Sequence, residues 1–225
     1  MLLRELGKAW FLIRGLPKSL VFNLRYFPLA QALRLPVLVA CNVKLMQLGG
    51  KVTVASNRFG NVKLGFQGGD AFPADGSRGV WSLANPGHVS FGGNIHFGPG
   101  VRIHCDGVLD LGNNISCNAG TTLFCAKHIR IGGGTVMAWD VTIMDHDFHA
   151  VLQDGAIINP PADVVIEDRV WLGADVMVLK GAHLARGVVV GARSLVRGKH
   201  ADEGCVMAGT PARVIRKGIA WRVTP

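Results

Sequence analysis

Between Phe91 and Lys199 an aliphatic or aromatic residue, usually followed by a small one, returns every six positions. Neither an α-helix nor an alternating strand generates that period. Phe91-Gly92, Phe97-Gly98, Ile103-His104 and Leu109-Asp110 hold it, the register slips by two residues to Leu111-Gly112, and Ile131-Gly132, Leu172-Gly173, Val178-Leu179, Leu184-Ala185, Val190-Gly191 and Val196-Arg197 resume it. A unit of six residues cannot bury its own apolar face and must stack on copies of itself. The pattern therefore predicts an all-β solenoid, a parallel β-helix with one short strand and a turn per hexad. The aliphatic residue points inward, and the small residue after it takes the crowded corner. Two positions before each interior residue, Val101, Ile115, Thr121, Thr135, Val141, Val170, Val176, Ala182, Val188 and Ser194 form a second row suited to extended backbone.

Composition narrows the class. Thirty glycines and one tyrosine in 225 residues fit a turn-dense repeat, and the length suffices for one sizeable core. The formal charge of +9 points to an anionic partner, a phosphorylated cosubstrate or an anionic membrane surface. A nucleic acid is not expected, because the cations are scattered and no nucleic-acid module is present. Five cysteines (Cys41, Cys105, Cys117, Cys125, Cys205) without CxxC spacing, and no signal-peptide pattern at the start, point to a reducing cytoplasm. They read as small apolar fillers of the core.

Residues 1–48 do not follow the hexad and read as an amphipathic, basic helical segment. One helix is expected over Met1 to Leu16 and a second over Leu20 to Leu33, with Pro17 between them. This segment either covers the open end of the repeat or lies on a membrane surface, since no apolar run is long enough to span a bilayer. Strand-like pieces at Lys51 to Ala55 and Asn61 to Phe66 precede a Gly/Asp/Pro/Ser excursion at Gly68 to Gly79. The repeat is assigned to residues 49–217 and the tail to 218–225, with a short closing helix expected between Ala208 and Val223.

The repeat breaks between Met144 and Val165. Polar and turn residues concentrate there: Asp145, His146, Asp147, Phe148, His149, Asp154-Gly155 and Pro160-Pro161. A long excursion from a regular solenoid is usually functional. Two histidines flanked by aspartates at its root suit proton chemistry, because imidazole titrates near working pH and a carboxylate can orient it.

The run Trp139-Asp140-Val141-Thr142-Ile143-Met144-Asp145-His146-Asp147-Phe148-His149 resembles the motif opening the active-site loop of hexapeptide-repeat acyltransferases of the maltose, galactoside and capsular-polysaccharide O-acetyltransferase type. The resemblance covers residues 89–217 and implies a left-handed triangular β-helix. It further implies a homotrimer with sites between subunits, and an acetyl-CoA-dependent O-acetyltransferase acting on a sugar hydroxyl in surface polysaccharide or glycoconjugate synthesis. A loop histidine is then the general base, either His146 or His149, with His146 the better match. Asn118, in Cys117-Asn118-Ala119, stands where an asparagine helps bind acceptor or oxyanion. Trp139 and Trp171, with Asp145 and Asp147, are the implied acceptor contacts, either tryptophan being equally well a packing aromatic. Gly173, Ala174, Gly191 and Ala192 match the coenzyme A groove. Arg197 and Arg213 are placed for its phosphates, although the run Arg197-Gly198-Lys199-His200 departs from the family's usual one.

Two rival readings share the repeat. A γ-type carbonic anhydrase holds zinc with three histidines from adjacent subunits, but His146 and His149 are spaced too closely for the expected pair, and no metal is expected. A purely structural β-helix is the other.

Overall fold

The computed structural model of the protein describes residues 2–66 and 77–223. It is a left-handed parallel β-helix of triangular section. The excursion expected over Gly68 to Gly79 lies largely outside the described residues. Strands fall in rotation on three sheets. The first runs from Val37–Val39 through Val62–Leu64, Ile95–Phe97, Ser116–Cys117, Val136–Met137, Trp171–Leu172 and Val189–Val190 to Val206–Gly209. The second runs from Val43–Leu48 to Leu195–Val196, and the third from Lys51–Val54 to Lys199–His200. The hexad's interior residues fill the prism: Phe97, Ile103, Leu109, Leu172, Val178, Leu184 and Val190 are all buried. So is every member of the second row from Val101 to Ser194.

The two-residue slip has a structural cause. Below the excursion a coil takes twenty residues, Cys117 pairing with Met137; above it a coil takes eighteen, Leu172 pairing with Val190. The extra pair lies on the third sheet, where the longer strands turn two side chains inward, Leu109 with Leu111 and Ile129 with Ile131. The excursion leaves the prism close to this change of girth.

Both ends differ from the sequence reading. The N-terminal segment is one helix, α1 (Leu2–Tyr26), with Pro17 inside it, followed by the single turn α2 (Leu29–Ala32). Pro17 is exposed, and the carbonyl it strips of a partner belongs to Ile13, itself 54% exposed, so the helix continues with its break on the face turned away from the prism. The prism begins at Val37, ahead of the expected residue 49, because the buried run Val37–Val39 lacks the alternation that marks a strand in sequence. At the other end the expected helix is an antiparallel strand, Ala212–Arg216, folded back on Val206–Gly209. Gly209-Thr210-Pro211 forms its turn, and the β-branched Val214 and Ile215 favour the extended form.

Helix α1 closes the first coil by side-chain hydrogen bonding. The amide of Asn23 donates to the carbonyls of Ser19 and Val37, both at 2.6 Å, and its oxygen accepts from Val37 N at 3.2 Å. Ser19 Oγ accepts from Val39 N at 2.8 Å, and Lys18 Nζ donates to the carbonyls of Cys41 and Val43 at 2.6 and 2.7 Å. An open strand edge is thus paired by a helix, which removes a template for aggregation. Phe22, fully buried, packs edge-on against Trp81 at 4.9 Å.

Candidate active site

The excursion spans 145–163, because Thr142–Met144 and Val164–Ile166 are still prism strands. Its root is Asp145. Strand alternation turns Ile143 inward, Met144 outward and Asp145 inward, so Asp145 continues the column occupied by Cys105 and Cys125, which pair with one another. Asp145 is completely buried. Its carboxylate accepts from Ala126 N and Lys127 N, both at 2.8 Å, and from His146 Nδ1 at 3.0 Å. A buried carboxylate is tolerable only when its lone pairs are met in this way. Asp145 therefore has no surface to offer a substrate, which corrects the expectation that it touches the acceptor.

His146 receives the benefit. With Nδ1–H directed at Asp145, the free lone pair sits on Nε2, the tautomer a base requires. The ring is largely buried, its side chain 17% exposed. It lies 4.3 Å from the Phe148 ring, which meets Phe124 edge-on at 5.0 Å, and Phe124 stacks on His104 at 5.3 Å. The sequence reading missed this aromatic ladder because Phe124 and His104 lie twenty or more residues from the loop and from each other. His149 is exposed, and its ring has no hydrogen-bond partner among the described residues.

Asp147 also departs from its expected role. Its carboxylate accepts from Lys180 Nζ at 2.5 Å and from Asn159 Nδ2 at 2.8 Å. Asn159 also donates to His149 O at 2.9 Å and accepts from Val151 N at 2.5 Å. Lys180 and Asn159, which nothing in the motif marks, staple the excursion to the prism. Asp154 and Gly155, with φ of 51° and 77°, turn a small hairpin, Leu152–Gln153 against Ala156–Ile157. The hydrogen bond from Lys180, seconded by that from Asn159, holds the Asp147 carboxyl below the usual carboxylate range. A depressed carboxyl contributes stability above its unfolded pKa and loses it as pH falls through the folded value. Lys180→Ala is therefore expected to lower the protection of the Val151 and Ile158 amides about two- to fivefold at neutral pH, and acidification below the carboxylate range to lower their protection, relative to the intrinsic exchange rate, in the unaltered chain. Exchange monitored by mass spectrometry checks both.

The remaining predicted residues divide between two edges of the prism. Asn118, Ala138, Gly173 and Gly191 occupy successive levels of the edge between the first and second sheets, through Asn118 N–Met137 O, Ala138 N–Leu172 O, Gly173 N–Val190 O and Gly191 N–Met207 O bonds of 2.7–3.0 Å. Trp139, Ala174 and Ala192 follow one residue on, and Arg213 pairs with Ala208 at the top of the same row. Stacking there is tight: a Cβ on Gly173 would lie 2.7 Å from Ala192 N. Arg197 follows the strand Leu195–Val196 and belongs to the edge between the second and third sheets, the edge that carries His146. Trp171 belongs to neither. Its side chain points outward from the first sheet and packs on Trp221 at 6.0 Å, whose indole donates to Arg169 O at 2.8 Å, so it holds the returning tail.

The two edges are separated by the full width of the second face. Six residues run from Trp139 to Asp145, about 20 Å of extended chain. One copy therefore does not bring His146 to its own row of Asn118, Gly173 and Gly191.

The buried Cys117 and Cys125 are poor nucleophiles. All five cysteines are free, and four are buried. Burial raises the Cys117 thiol pKa, and a hydrogen bond to Cys105 together with burial raises that of Cys125. Among the described residues no group of three or more His, Cys, Asp or Glu side chains is placed to hold a metal ion.

No protein-family model matches the chain. It is 36% identical over 147 residues to a protein named as a lipopolysaccharide biosynthesis O-acetyl transferase, WbbJ of Escherichia coli (strain K12), across 60% of this chain and 74% of that protein. It is 36% identical over 137 residues to the galactoside O-acetyltransferase of Lactococcus lactis, across 59% of this chain and 58% of that one. Among solved structures, the polySia-specific acetyltransferase NeuO superposes with a TM-score of 0.52 at 23% identity, over 81% of this chain and 72% of that one. A mutant of AntD, an N-acyltransferase from Bacillus cereus in complex with dTDP and coenzyme A, superposes with a TM-score of 0.51 at 17% identity, over 83% and 81%. These two likenesses establish the shared fold.

Proposed function

The chain belongs to the hexapeptide-repeat acetyltransferase family, and from that premise we propose that it is an acetyl-CoA-dependent O-acetyltransferase acting on a saccharide hydroxyl in surface polysaccharide or glycoconjugate synthesis. The observation that carries the reading is the buried Asp145 carboxylate fixing the Nδ1 of His146 at the root of the excursion. His146 Nε2 takes the proton of the acceptor hydroxyl as its oxygen attacks the thioester carbonyl. The new C–O bond forms, the carbonyl becomes an oxyanion, and hydrogen-bond donors at the edge, backbone N–H groups or Asn118, stabilise it. When the C–S bond breaks, the departing thiolate of coenzyme A takes the proton back from the imidazolium. Direct transfer agrees with the raised thiol pKa values, which disfavour an acyl-cysteine.

The working unit in this reading is a homotrimer. His146 and Arg197 come from one copy, while Asn118, Gly173, Ala174, Gly191, Ala192 and Arg213 come from the neighbour, with small residues leaving the edge open to the pantetheine arm. Trp139 lines the same edge and offers its ring to the sugar. The enzyme works in the cytoplasm, in peripheral contact with the inner face of the membrane through its N-terminal helix. Among the described residues no helix is long and apolar enough to cross a bilayer.

The test is acetyl-CoA turnover against a panel of sugar, nucleotide-sugar and lipid-linked acceptors, followed by complementation. A His146→Ala chain and an Ala174→Trp chain are each expected to be inactive alone. Unfolded and refolded together at equal amounts, they are expected to regain roughly a quarter of the wild-type activity, the chance that a randomly assembled cyclic interface joins two intact edges. A mixture that stays inactive while forming trimers would refute the shared site.

A further inference from the structure

We propose that the outward face of α1 docks the protein on an anionic bilayer surface, with the prism standing upright upon it. The inward face of the helix is fully used. Gly15, Ser19 and Asn23, four residues apart, track the first strand from Val39 to Val37, so α1 lies along that strand and across the end of the solenoid. The face it turns away from the prism is apolar. Trp10, Ile13, Leu20, Val21 and Leu24 are 40–62% exposed and fall on one stripe of the helix, which Leu29 and Leu33 extend at 64% and 63%. Exposed Arg14 and Arg25 border that stripe.

Charge identifies the occupant. Residues 1–50 contain seven Lys and Arg (Arg4, Lys8, Arg14, Lys18, Arg25, Arg34, Lys44) against one acid, Glu5. That is a net +6, out of +9 for the whole chain. A second copy of this chain would set that charge against itself, whereas anionic headgroups neutralise it. An amphipathic helix with cations beside a Trp- and Leu-rich stripe is built to lie in the plane of the interface.

The orientation fixes a height. The strand leading to His146, Thr142–Met144, is the fifth of the second sheet counted from the helix end. Four strand spacings of about 4.8 Å and one helix-to-sheet layer of about 10 Å place the imidazole roughly 30 Å above the bilayer. Given the acyl-transfer reading, the acceptor is then a lipid-anchored saccharide long enough to present its reacting residue at that height, rather than a single sugar linked directly to its lipid.

Flotation of the full-length protein with vesicles tests the docking. It is expected to bind vesicles of phosphatidylcholine with 30 mol% phosphatidylglycerol, to bind pure phosphatidylcholine vesicles weakly, and to be released from the former by high salt. Arg14→Ala combined with Arg25→Ala is expected to weaken anionic-vesicle binding about tenfold or more. Ile13→Ser combined with Leu24→Ser is expected to abolish it while thermal unfolding, oligomeric state and turnover of a soluble acceptor are unchanged. Equal binding to both vesicle types, no binding to either, or a change of oligomeric state in the Ser variant would overturn the proposal. Vesicle binding without turnover of any acceptor would instead count against the acyl-transfer reading and leave the docking intact.

Discussion

Replacing His146 with alanine is expected to lower acetyl transfer about 10²–10⁴-fold, the usual contribution of a positioned general base, with little change in the affinity for coenzyme A. The ring packs on Phe148 at the root of the excursion, outside the prism, so thermal unfolding is expected to shift little. His149→Ala, altering an exposed ring, is expected to change the rate severalfold at most. Steady-state kinetics of both variants with one acceptor decide the assignment: a larger loss at His149 would move the base there. The distinction rests on geometry, since only His146 has a carboxylate beneath it.

Asp145 carries the second large effect, and there two readouts separate. Asp145→Ala strips Ala126 N and Lys127 N of their acceptors inside the core and is expected to cost about 2–4 kcal/mol of stability, from two unsatisfied buried donors. Asp145→Asn keeps the volume and one acceptor but no longer holds the imidazole in its working tautomer. It is expected to lower the turnover number about 100-fold while the KM for acetyl-CoA changes little. A purely structural Asp145 would instead give activity that follows the folded fraction. Denaturant titration beside kinetics on the same samples distinguishes the cases.

Much of this was legible in the sequence, for a physical reason. The hexad reports which side chains enter the prism, and a solenoid's strands contact only their neighbours, so local pattern and global fold coincide. What failed did so where a residue's role depends on a partner far along the chain. Pro17 reads as a helix breaker, yet it faces solvent above an edge strand that α1 must cover. The tail reads as amphipathic helix, yet the free edge of Val206–Gly209 takes it as a strand. Asp145 and Asp147 read as acceptor contacts because both stand in a polar run. Only the fold shows one pointing inward and the other tied to Lys180 and Asn159. A signal for Asp145 did exist: Cys105 and Cys125 precede it at intervals of twenty residues, the length of a coil. Lys180 carried no such mark.

That column of Cys105, Cys125 and Asp145 has a bearing on how far this protein can be improved. The two levels beneath Asp145 are filled by small thiols that ask for little, and the level that ends the column holds a group whose burial costs free energy unless three donors meet it. A third thiol there would leave Ala126 N and Lys127 N without their acceptors and His146 without its anchor, so stability and activity are tied together at that one position. Selection for heat tolerance and selection for turnover therefore both keep residue 145 as it is, and a stabilisation programme has to work elsewhere.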